Sequence, residues 1–265
     1  MRVNLFDFYQ EVTLRYLRQN HGLSGISKQL EQRLCNELAR LRQDYRKGIP
    51  IDYSDKHRRV AYALHYAPKH AVIWREYAHL FGHTANQNLD LNLLGPGPGS
   101  ELFGWLEGID WANPGAVAIA CIEKEKSWLE FLQCATAMYQ ETTGIAIKGT
   151  FSTDSSKMIK GAHLLGSFVL TDMGRSGELH TLGRLVASAN RPLTATFLDA
   201  PAYTNKQGAT CLVSTEPALG FTSLKGYGPD LRAAILREMD ACKPLCCRYD
   251  QFDVPNINAF FRNYK

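Results

Sequence analysis

Apolar residues follow a helical period in the first third of the chain. In residues 3–19 and again in residues 26–45 they recur three or four positions apart, which predicts two amphipathic helices. Gly48 and Pro50 end the second pattern. A third periodic segment begins at Ser54 or Asp55 and reaches Leu80, and its internal Pro68 is expected to kink or break the helix.

The period changes after a polar linker at residues 83–88. Strand-length apolar runs lie at residues 89–94, 117–122, 145–147 (extending towards 151), 164–170, 194–198 and 210–213, and helical segments at residues 101–106, 126–139 and 179–189. Such alternation is typical of βαβ units, which build a mostly parallel sheet with helices on both faces. We therefore predict an α/β fold in two parts, a helical region at residues 1–82 and a sheet domain at residues 83–265.

A glycine-rich turn, GPGPGSE at residues 95–101, directly follows the first strand-length run. In an open α/β sheet, ligands bind outside the carboxyl ends of the strands, and glycines let the backbone approach them closely. The second run ends in Glu123, whose carboxylate can accept both hydroxyls of a ribose. Ser100 stands where a dinucleotide fingerprint needs its third glycine, which disfavours NAD. The alternative is a surface loop followed by an ordinary exposed glutamate.

The turn and its surroundings resemble a known family. LLGPGPG at residues 93–99 resembles the first motif of class I S-adenosylmethionine-dependent methyltransferases, and AYALHYAP at residues 61–68 is similar to a pattern in the branch that includes ribosome-associated methyltransferase-like proteins. Residues 117–129, 164–173 and 196–201 are similar to three later motifs. The resemblance spans about residues 57–215. It implies a Rossmann-like methyltransferase sheet after the N-terminal helical region, with S-adenosylmethionine as the cofactor.

The resemblance also implies roles for particular residues. Gly95, Gly97 and Gly99 would line the amino-acid end of the cofactor, Glu123 would take the ribose hydroxyls, and Asp154 would accept from the adenine amino group. One position departs from the family pattern, because the acid expected two residues before the first glycine is Leu93. In the family, that acid helps to hold the methionine ammonium group. The departure leaves open whether the pocket is weakened, altered or abandoned.

Methyl transfer requires little besides an acceptor held in line with the methyl carbon, and a base only if the acceptor is protonated. Four candidates lie near the carboxyl ends of the fourth and fifth strands: Ser167, Asp172, Asp199 and Tyr203. We predict Asp172, Asp199 and Tyr203 as catalytic residues. DAPAY at residues 199–203 weakly resembles the box with which amino-group methyltransferases clamp a planar amine, but a turn at a strand end is the favoured interpretation.

Charge separates the two parts of the chain. Residues 1–82 contain 14 Lys and Arg against 8 Asp and Glu, a net +6, whereas the whole chain carries only +4. Clustered cations neutralise phosphates, and the candidate nucleic-acid-binding residues are Arg40, Lys47, Lys56, Arg58 and Arg59. The interleaved Tyr45, Tyr53, Tyr62 and Tyr66 could stack bases, but they suit core packing equally well. A solvated helix face is the alternative.

Other classes of protein and site are disfavoured. No apolar stretch is long enough for a membrane span, and the N-terminus lacks the features of a signal peptide, so a cytoplasmic protein is expected. Cysteines in apolar runs, Cys35 among them, are expected to be reduced. Neither the group Cys242, Cys246 and Cys247 nor the pair His79 and His83 has the pattern of a metal site, so no metal is predicted.

Two functions remain. The first is an S-adenosylmethionine-dependent methyltransferase that uses its basic helical front to hold an acceptor, RNA or another polyanion-associated substrate. The second is a catalytically silent methyltransferase-like module that binds nucleic acid or a protein partner, which Leu93 favours. An NAD-dependent oxidoreductase is a distant third, disfavoured by Ser100.

Overall fold

The computed structural model describes residues 3–80, 84–85, 88–111, 115–186, 194–199, 202–204, 210–212, 222–224, 231–242 and 258–263. Their helices are α1 (Leu5–His21), α2 (Lys28–Lys47), α3 (Lys56–His65), α4 (Ala67–Leu80), α5 (Ser100–Gly108), α6 (Ser127–Thr143), α7 (Val169–Ser176), α8 (Leu179–Val186), α9 (Leu231–Asp240) and a short 3-10 helix (Ser155–Lys157). Their strands are β1 (Thr84–Ala85), β2 (Leu89–Leu94), β3 (Asp110–Trp111), β4 (Ala116–Ile122), β5 (Ala146–Ser152), β6 (His163–Ser167), β7 (Thr194–Asp199), β8 (Ala202–Thr204), β9 (Thr210–Leu212), β10 (Thr222–Leu224) and β11 (Asn258–Asn263).

Local sequence signals fix the front helices. The side chains of Asn4, Ser27 and Asp55 accept backbone N–H groups at the starts of α1, α2 and α3, which satisfies donors that have no partner within the helix. Gly22 and Gly48 end α1 and α2 in the left-handed conformation, with φ of 64° and 65°. The predicted helices of residues 3–19 and 26–45 are therefore confirmed.

The third predicted helix is divided in two. α3 ends at His65 and α4 begins at Ala67, so Pro68 lies in the first turn of α4. A proline there gives up no hydrogen bond, because a first-turn N–H has no partner within the helix. The break predicted at Pro68 therefore occurs just before it.

Within the described residues, seven strands form the main sheet, in the order β5-β4-β2-β6-β7-β11-β10. The strands from β5 to β7 run parallel, and β11 lies antiparallel between β7 and β10. Along the chain, the sheet grows from β2 outward to β4 and β5, and then resumes on the other side of β2 with β6 and β7. This is the doubly wound arrangement, and its direction reverses between β2 and β6. The predicted α/β class with a Rossmann-like sheet is confirmed.

Both faces of the sheet are covered. Leu164 and Leu165 are adjacent on β6 and point to opposite faces, where they join two separate hydrophobic clusters. The larger cluster combines buried residues of α1 to α6 and α9 with one face of the sheet. The smaller cluster combines α7 and α8 with the other face. The front helices thus share a hydrophobic core with the sheet. The division of the chain into two domains at residue 82 stays a prediction.

α4 and α5 pack in close contact because two glycines face α4. A Cβ atom on Gly104 would lie 2.1 Å from the carbonyl oxygen of Ala71, and one on Gly108 would lie 2.3 Å from that of Arg75. The two glycines are four residues apart, so both fall on the same face of α5. No other residue type fits there without separating the helices.

Three sequence-based expectations differ from the structure in the C-terminal half. The run at residues 164–170 is a strand only to Ser167 and then turns into α7. Residues 210–212 form a strand, but they pair with β8 in a separate two-stranded sheet. The helix α9 and the strands β10 and β11 were not predicted. The sheet partners of β11 are distant in sequence, and its alternation is too short to distinguish it from a loop.

Among the described helices, none combines the length and apolarity that crossing a lipid bilayer requires. Cys121, Cys134 and Cys242 are reduced and buried. Cys35 is disulfide-bonded, in contrast to the reduced thiol that its apolar surroundings predict.

Candidate functional site

The glycine turn at residues 95–99 lies at the carboxyl end of β2, beside the point where the sheet order reverses. In doubly wound sheets, this is where ligands bind. Gly95, Gly97 and Gly99 all have positive φ, of 59°, 51° and 84°. The N–H of Gly95 donates to the carbonyl oxygen of Ile122 at 2.8 Å, which joins the turn to the end of β4.

Gly99 must be a glycine for two reasons. Its φ is one that residues with a side chain rarely adopt, and an added Cβ would lie 2.5 Å from Leu132 and 2.8 Å from Phe103. Gly97 is constrained less by space, because its Cβ would contact the ring of Trp128 at 3.8 Å. The indole of Trp128 therefore forms one wall beside the turn.

Glu123 and the turn are in direct contact, as the sequence predicts for a shared site. The N–H of Gly97 donates to Glu123 Oε2 at 2.8 Å, and the N–H of Glu125 donates to Oε1 at 2.9 Å. Glu123 is buried, and burial raises its pKa. Each carboxylate oxygen keeps a second lone pair, so the group can accept two further hydrogen bonds such as those of a ribose diol.

Asp154 lies at the same edge of the sheet, but its carboxylate is already engaged locally. It accepts the N–H and the hydroxyl of Ser156, at 2.9 and 2.6 Å, and so begins the 3-10 helix. Glu123 N–H donates to the carbonyl oxygen of Ser152 at 2.9 Å, which places the end of β5 next to Glu123. Contact of Asp154 with an adenine stays a prediction.

Leu93 cannot provide the missing acid, since it is 0% exposed and packs in the core. A second acid lies nearby in Glu101, in the first turn of α5, and its side chain is only 1% exposed. Ser167 Oγ donates to Glu101 Oε2 over a long 3.5 Å, and among the described residues nothing hydrogen-bonds to Oε1. Burial raises the pKa of Glu101 well above its usual range. The sequence analysis did not single out Glu101.

Asp199 forms hydrogen bonds within the fold, and its catalytic role stays a prediction. It is 0% exposed, and its Oδ2 accepts the N–H of Leu170 at 2.7 Å and that of Thr171 at 3.2 Å. The Thr171 hydroxyl donates to Oδ1. These bonds satisfy N–H groups in the first turn of α7, which have no partner within the helix.

Asp172 and Tyr203 lie on neighbouring elements, α7 and β8, which contact one another. The Asp172 side chain is 68% exposed and lies 3.7 Å from Arg175. Tyr203 pairs with Cys211 across the β8–β9 hairpin, and its side chain is outside the described part of the structure. Ser167 is occupied within the fold, because Trp74 Nε1 donates to its hydroxyl at 2.6 Å. Catalytic roles for Asp172 and Tyr203 stay predictions.

An aromatic wall extends from the turn towards α7. We define it as Tyr45, Tyr53, Tyr62, Tyr66, His70, Trp128 and Phe168. Tyr62 lies 5.8 Å from Trp128 and 5.4 Å from Tyr66 between ring centroids, and His70 lies 4.6 Å from Phe168. Burial, and to a smaller extent the Asp172 carboxylate, raise the pKa values of Tyr45, Tyr53 and Tyr62 well above the usual range. Asp172 is therefore near the wall.

Two members of the wall, Phe168 and His70, have unusual local properties. Phe168 has φ 58°, and among the described residues no other non-glycine residue has a positive φ. Such backbone strain persists only where surrounding bonds fix it, and the N–H of Phe168 donates to the carbonyl oxygen of Leu198. Burial, with Lys69 adding, lowers the pKa of His70 to about 3, so its ring is neutral at pH 7. Tyr62 Oη lies 3.2 Å from His70 Nδ1.

The predicted basic surface is only partly exposed. Arg59 is 5% exposed and donates to the carbonyl oxygens of Tyr53 and Ser54, so it holds the start of α3. Arg58 is 19% exposed and pairs with the buried Glu37. A nucleic-acid contact of Arg58 or Arg59 therefore stays a prediction, and neither side chain is fully exposed. Their sequence neighbour Lys56 is exposed.

A narrower surface replaces it, which we name the basic stripe: Arg33, Arg40, Lys47 and Lys56. The first three lie seven residues apart on α2, so they share one face over about 21 Å of helix. All four are exposed, although Arg40 also pairs with Glu37 at 2.7 Å. Burial, then Arg33, and less strongly Lys56, lower the pKa of His57, which places these two cations near one another. Arg33 was missed because it is isolated from the basic runs in the sequence.

The described residues contain no group of three or more His, Cys, Asp or Glu that could hold a metal ion. Cys246, Cys247 and His83 lie outside the described residues. The site as described therefore consists of a glycine turn, two buried carboxylates and an aromatic wall.

No protein-family model matches the chain. No curated protein matches it either.

Similar folds occur among solved structures at low identity. A putative O-methyltransferase from Nostoc punctiforme is 12% identical, with a TM-score of 0.47 over 96% of this chain and 73% of that one. A magnesium protoporphyrin IX methyltransferase from Synechocystis with bound S-adenosylmethionine is 13% identical, with a TM-score of 0.41 over 85% and 95% of the two chains. An rRNA methylase from Escherichia coli is 10% identical, with a TM-score of 0.41 over 96% and 90%. Similarity at this level does not identify the function of the chain.

Proposed function

We propose that the chain is an S-adenosylmethionine-dependent methyltransferase with RNA as its acceptor. The observation that carries the proposal is the contact between the glycine turn and Glu123 at the reversal point of the sheet, where Gly97 N–H meets the buried carboxylate. A glycine turn and an acid at the ends of adjacent parallel strands are what binding of a nucleoside with an extended substituent requires.

The residues present fit this cofactor. Glu123 has free lone pairs for the ribose hydroxyls, and the backbone carries no side chain at the three positive-φ glycines of the turn. When bound, S-adenosylmethionine supplies an activated methyl group. The turn and Glu123 would fix the position of the nucleoside. The chain's remaining task is to orient an acceptor, for which no nucleophile of its own is needed.

The aromatic wall and the basic stripe support an RNA acceptor. Aromatic rings can stack on a planar base, and the wall reaches the turn through Trp128, next to Gly97. Asp172 is exposed near the wall and could accept a proton from an acceptor nitrogen or hydroxyl. The stripe lies on α2 and the start of α3, and α3 carries Tyr62 of the wall. Phosphates held on the stripe would therefore leave a base near the wall.

Ribosomal RNA is the first acceptor to test, because the sequence resembles a branch that includes ribosome-associated proteins. The experiment incubates the full chain with radiolabelled S-adenosylmethionine and ribosomal RNA, and measures cofactor binding separately by calorimetry. We expect binding with a dissociation constant below millimolar and label in the RNA. Absence of binding at millimolar cofactor would contradict the proposal. Cofactor binding without transfer to any RNA would exclude the proposed acceptor.

The stripe can be tested through the salt dependence of RNA binding. Replacing Arg40, Lys47 and Lys56 together by Gln should weaken binding and reduce the slope of log K against log salt by about one for each phosphate that is no longer neutralised. The matched control replaces three exposed lysines elsewhere, Lys124, Lys148 and Lys160, by Gln. Equal effects of the two triple variants would exclude the stripe as the RNA site.

A silent module is the second candidate, favoured by Leu93. It would bind RNA through the stripe but would not bind S-adenosylmethionine. The calorimetry and the salt titration together distinguish it from the enzyme, because the first tests the turn and the second tests the stripe.

A further inference from the structure

The carboxylate of Glu101 lies at the reversal point of the sheet. Glu101 lies in the first turn of α5, directly after the glycine turn. Its Oε2 is 3.5 Å from the hydroxyl of Ser167, which ends β6. Glu101 is thus flanked by the ends of β2 and β6, the two strands between which the order reverses.

Within the fold as described, Glu101 lacks the partners that a buried carboxylate needs. Its Oε1 is enclosed and without a hydrogen bond, and no cation of the described residues forms an ion pair with the group. The charged group that faces it is Glu123, which is also acidic. The other titratable groups near it are the hydroxyls of Tyr9 and Tyr62 and the thiol of Cys121, all of them neutral at pH 7.

A buried carboxylate with an unused oxygen destabilises the fold, so its presence at a ligand site calls for a cationic ligand group. The proposed cofactor has such a group in the ammonium of its methionine portion. The position that holds this ammonium in the resembled family is Leu93 here, which is apolar and fully buried. Leu93, near the end of β2, and Glu101, in the first turn of α5, lie on either side of the glycine turn.

We infer that Glu101 is the residue that binds the ammonium group of the cofactor's amino-acid portion, in place of an acid at position 93. This inference rests on the proposed function. It names the residue that gives the cofactor site its specificity for the amino-acid portion of S-adenosylmethionine. Binding of the ammonium favours the ionised form of Glu101, and any proton that the carboxyl group holds then passes to solvent. The turn therefore retains a cofactor site of altered construction.

Two ligands separate this inference from the proposed function. S-adenosylhomocysteine carries the ammonium group, whereas 5′-methylthioadenosine has the same nucleoside without the amino-acid portion. With Glu101→Gln, calorimetry should show a loss of affinity for S-adenosylhomocysteine of about 10- to 100-fold, as for a hydrogen bond to a charged group, and less than about 3-fold for 5′-methylthioadenosine. Glu130→Gln, at an exposed position on α6, is the matched control and should change neither.

The outcomes are distinguishable. If the unaltered chain binds neither ligand, the proposed function fails. If it binds both and Glu101→Gln weakens both equally, or neither, the inference about Glu101 fails while the proposed function stands.

A second measurement needs no variant and so does not depend on how Glu101→Gln folds. Calorimetry of the unaltered chain at pH 7 in phosphate and in Tris buffer should reveal release of up to about one proton on binding S-adenosylhomocysteine, and none for 5′-methylthioadenosine. Equal proton release for both ligands would overturn the inference.

Discussion

The two ends of α5 each hold a buried glutamate, and the two are satisfied differently. At the C-terminal end, Glu107 accepts the Val3 N–H at 2.9 Å and the Tyr139 hydroxyl at 2.7 Å, so both of its oxygens are bonded. At the N-terminal end, Glu101 is more deeply buried, yet one of its oxygens has no partner in the described structure. The same residue type on one helix thus has both oxygens hydrogen-bonded at one end and one oxygen without a described partner at the other.

The helix that carries both glutamates packs closely against α4 through Gly104 and Gly108. Gly104→Ala should disrupt this packing and have the largest effect, because the new methyl group would meet the Ala71 carbonyl oxygen. We expect a loss of about 3 kcal/mol in the free energy of unfolding, measured by urea titration. The control is Gly25→Ala, where an added Cβ meets nothing within 4 Å. A Gly104→Ala variant as stable as that control would contradict the packing argument.

Glu107→Met should have the next largest effect. The substitution keeps the length of the side chain but leaves the part-buried N–H of Val3 and the buried hydroxyl of Tyr139 without an acceptor. A loss of about 2 kcal/mol is expected, since each unpaired buried donor is unfavourable. Urea titration checks this, and Glu130→Met on the exposed face of α6 serves as control. An unchanged stability would mean that Glu107 is no more structural than Glu101.

Glu101→Met should have a smaller effect of opposite sign, a gain of about 1 kcal/mol at pH 8, because it removes a buried group that the fold does not satisfy. Burial raises the pKa of Glu101, so the folded chain binds the proton more tightly than the unfolded chain. Stability from this group is therefore lost as the pH rises from the ordinary glutamate value through the raised one. The gain from Glu101→Met should be larger at pH 8 than at pH 5. A gain independent of pH would contradict a pKa of Glu101 that burial raises.

The sequence predicted those features that depend on local patterns. Periodicity and capping residues located α1 and α2, and the glycine turn with Glu123 was predicted as a shared site and is found in contact. It could not predict features that depend on distant partners. Asp199 lies at a strand end, where the sequence predicts a catalytic acid. Its hydrogen-bond partners include backbone N–H groups of α7, and the sequence around Asp199 itself does not indicate them. In the sequence, Glu101 is an ordinary acidic residue in the first turn of a helix. Only the structure shows that its Oε1 is buried without a hydrogen bond from the described residues.

The basic residues of the N-terminal helices also show what the sequence could not predict. Charge counting placed a cationic surface on residues 1–82, which the exposed residues of the basic stripe support. The count could not separate Arg59, which donates to backbone carbonyl oxygens, from Lys56, which is exposed three residues earlier. The burial of Arg59 results from the packing of α2 against α3. The order of charged residues in the sequence does not show which of them this packing buries.

The contact between Gly104 and the backbone of α4 has a consequence for the timing of binding. With its Cβ position filled by a carbonyl oxygen of α4, α5 cannot slide without carrying α4, and α4 contributes His70 to the aromatic wall. A cofactor that pulls Glu101 towards its ammonium group would shift both helices as one body. We therefore expect the acceptor surface to be completed only after the cofactor binds, which gives an ordered sequence with the cofactor first.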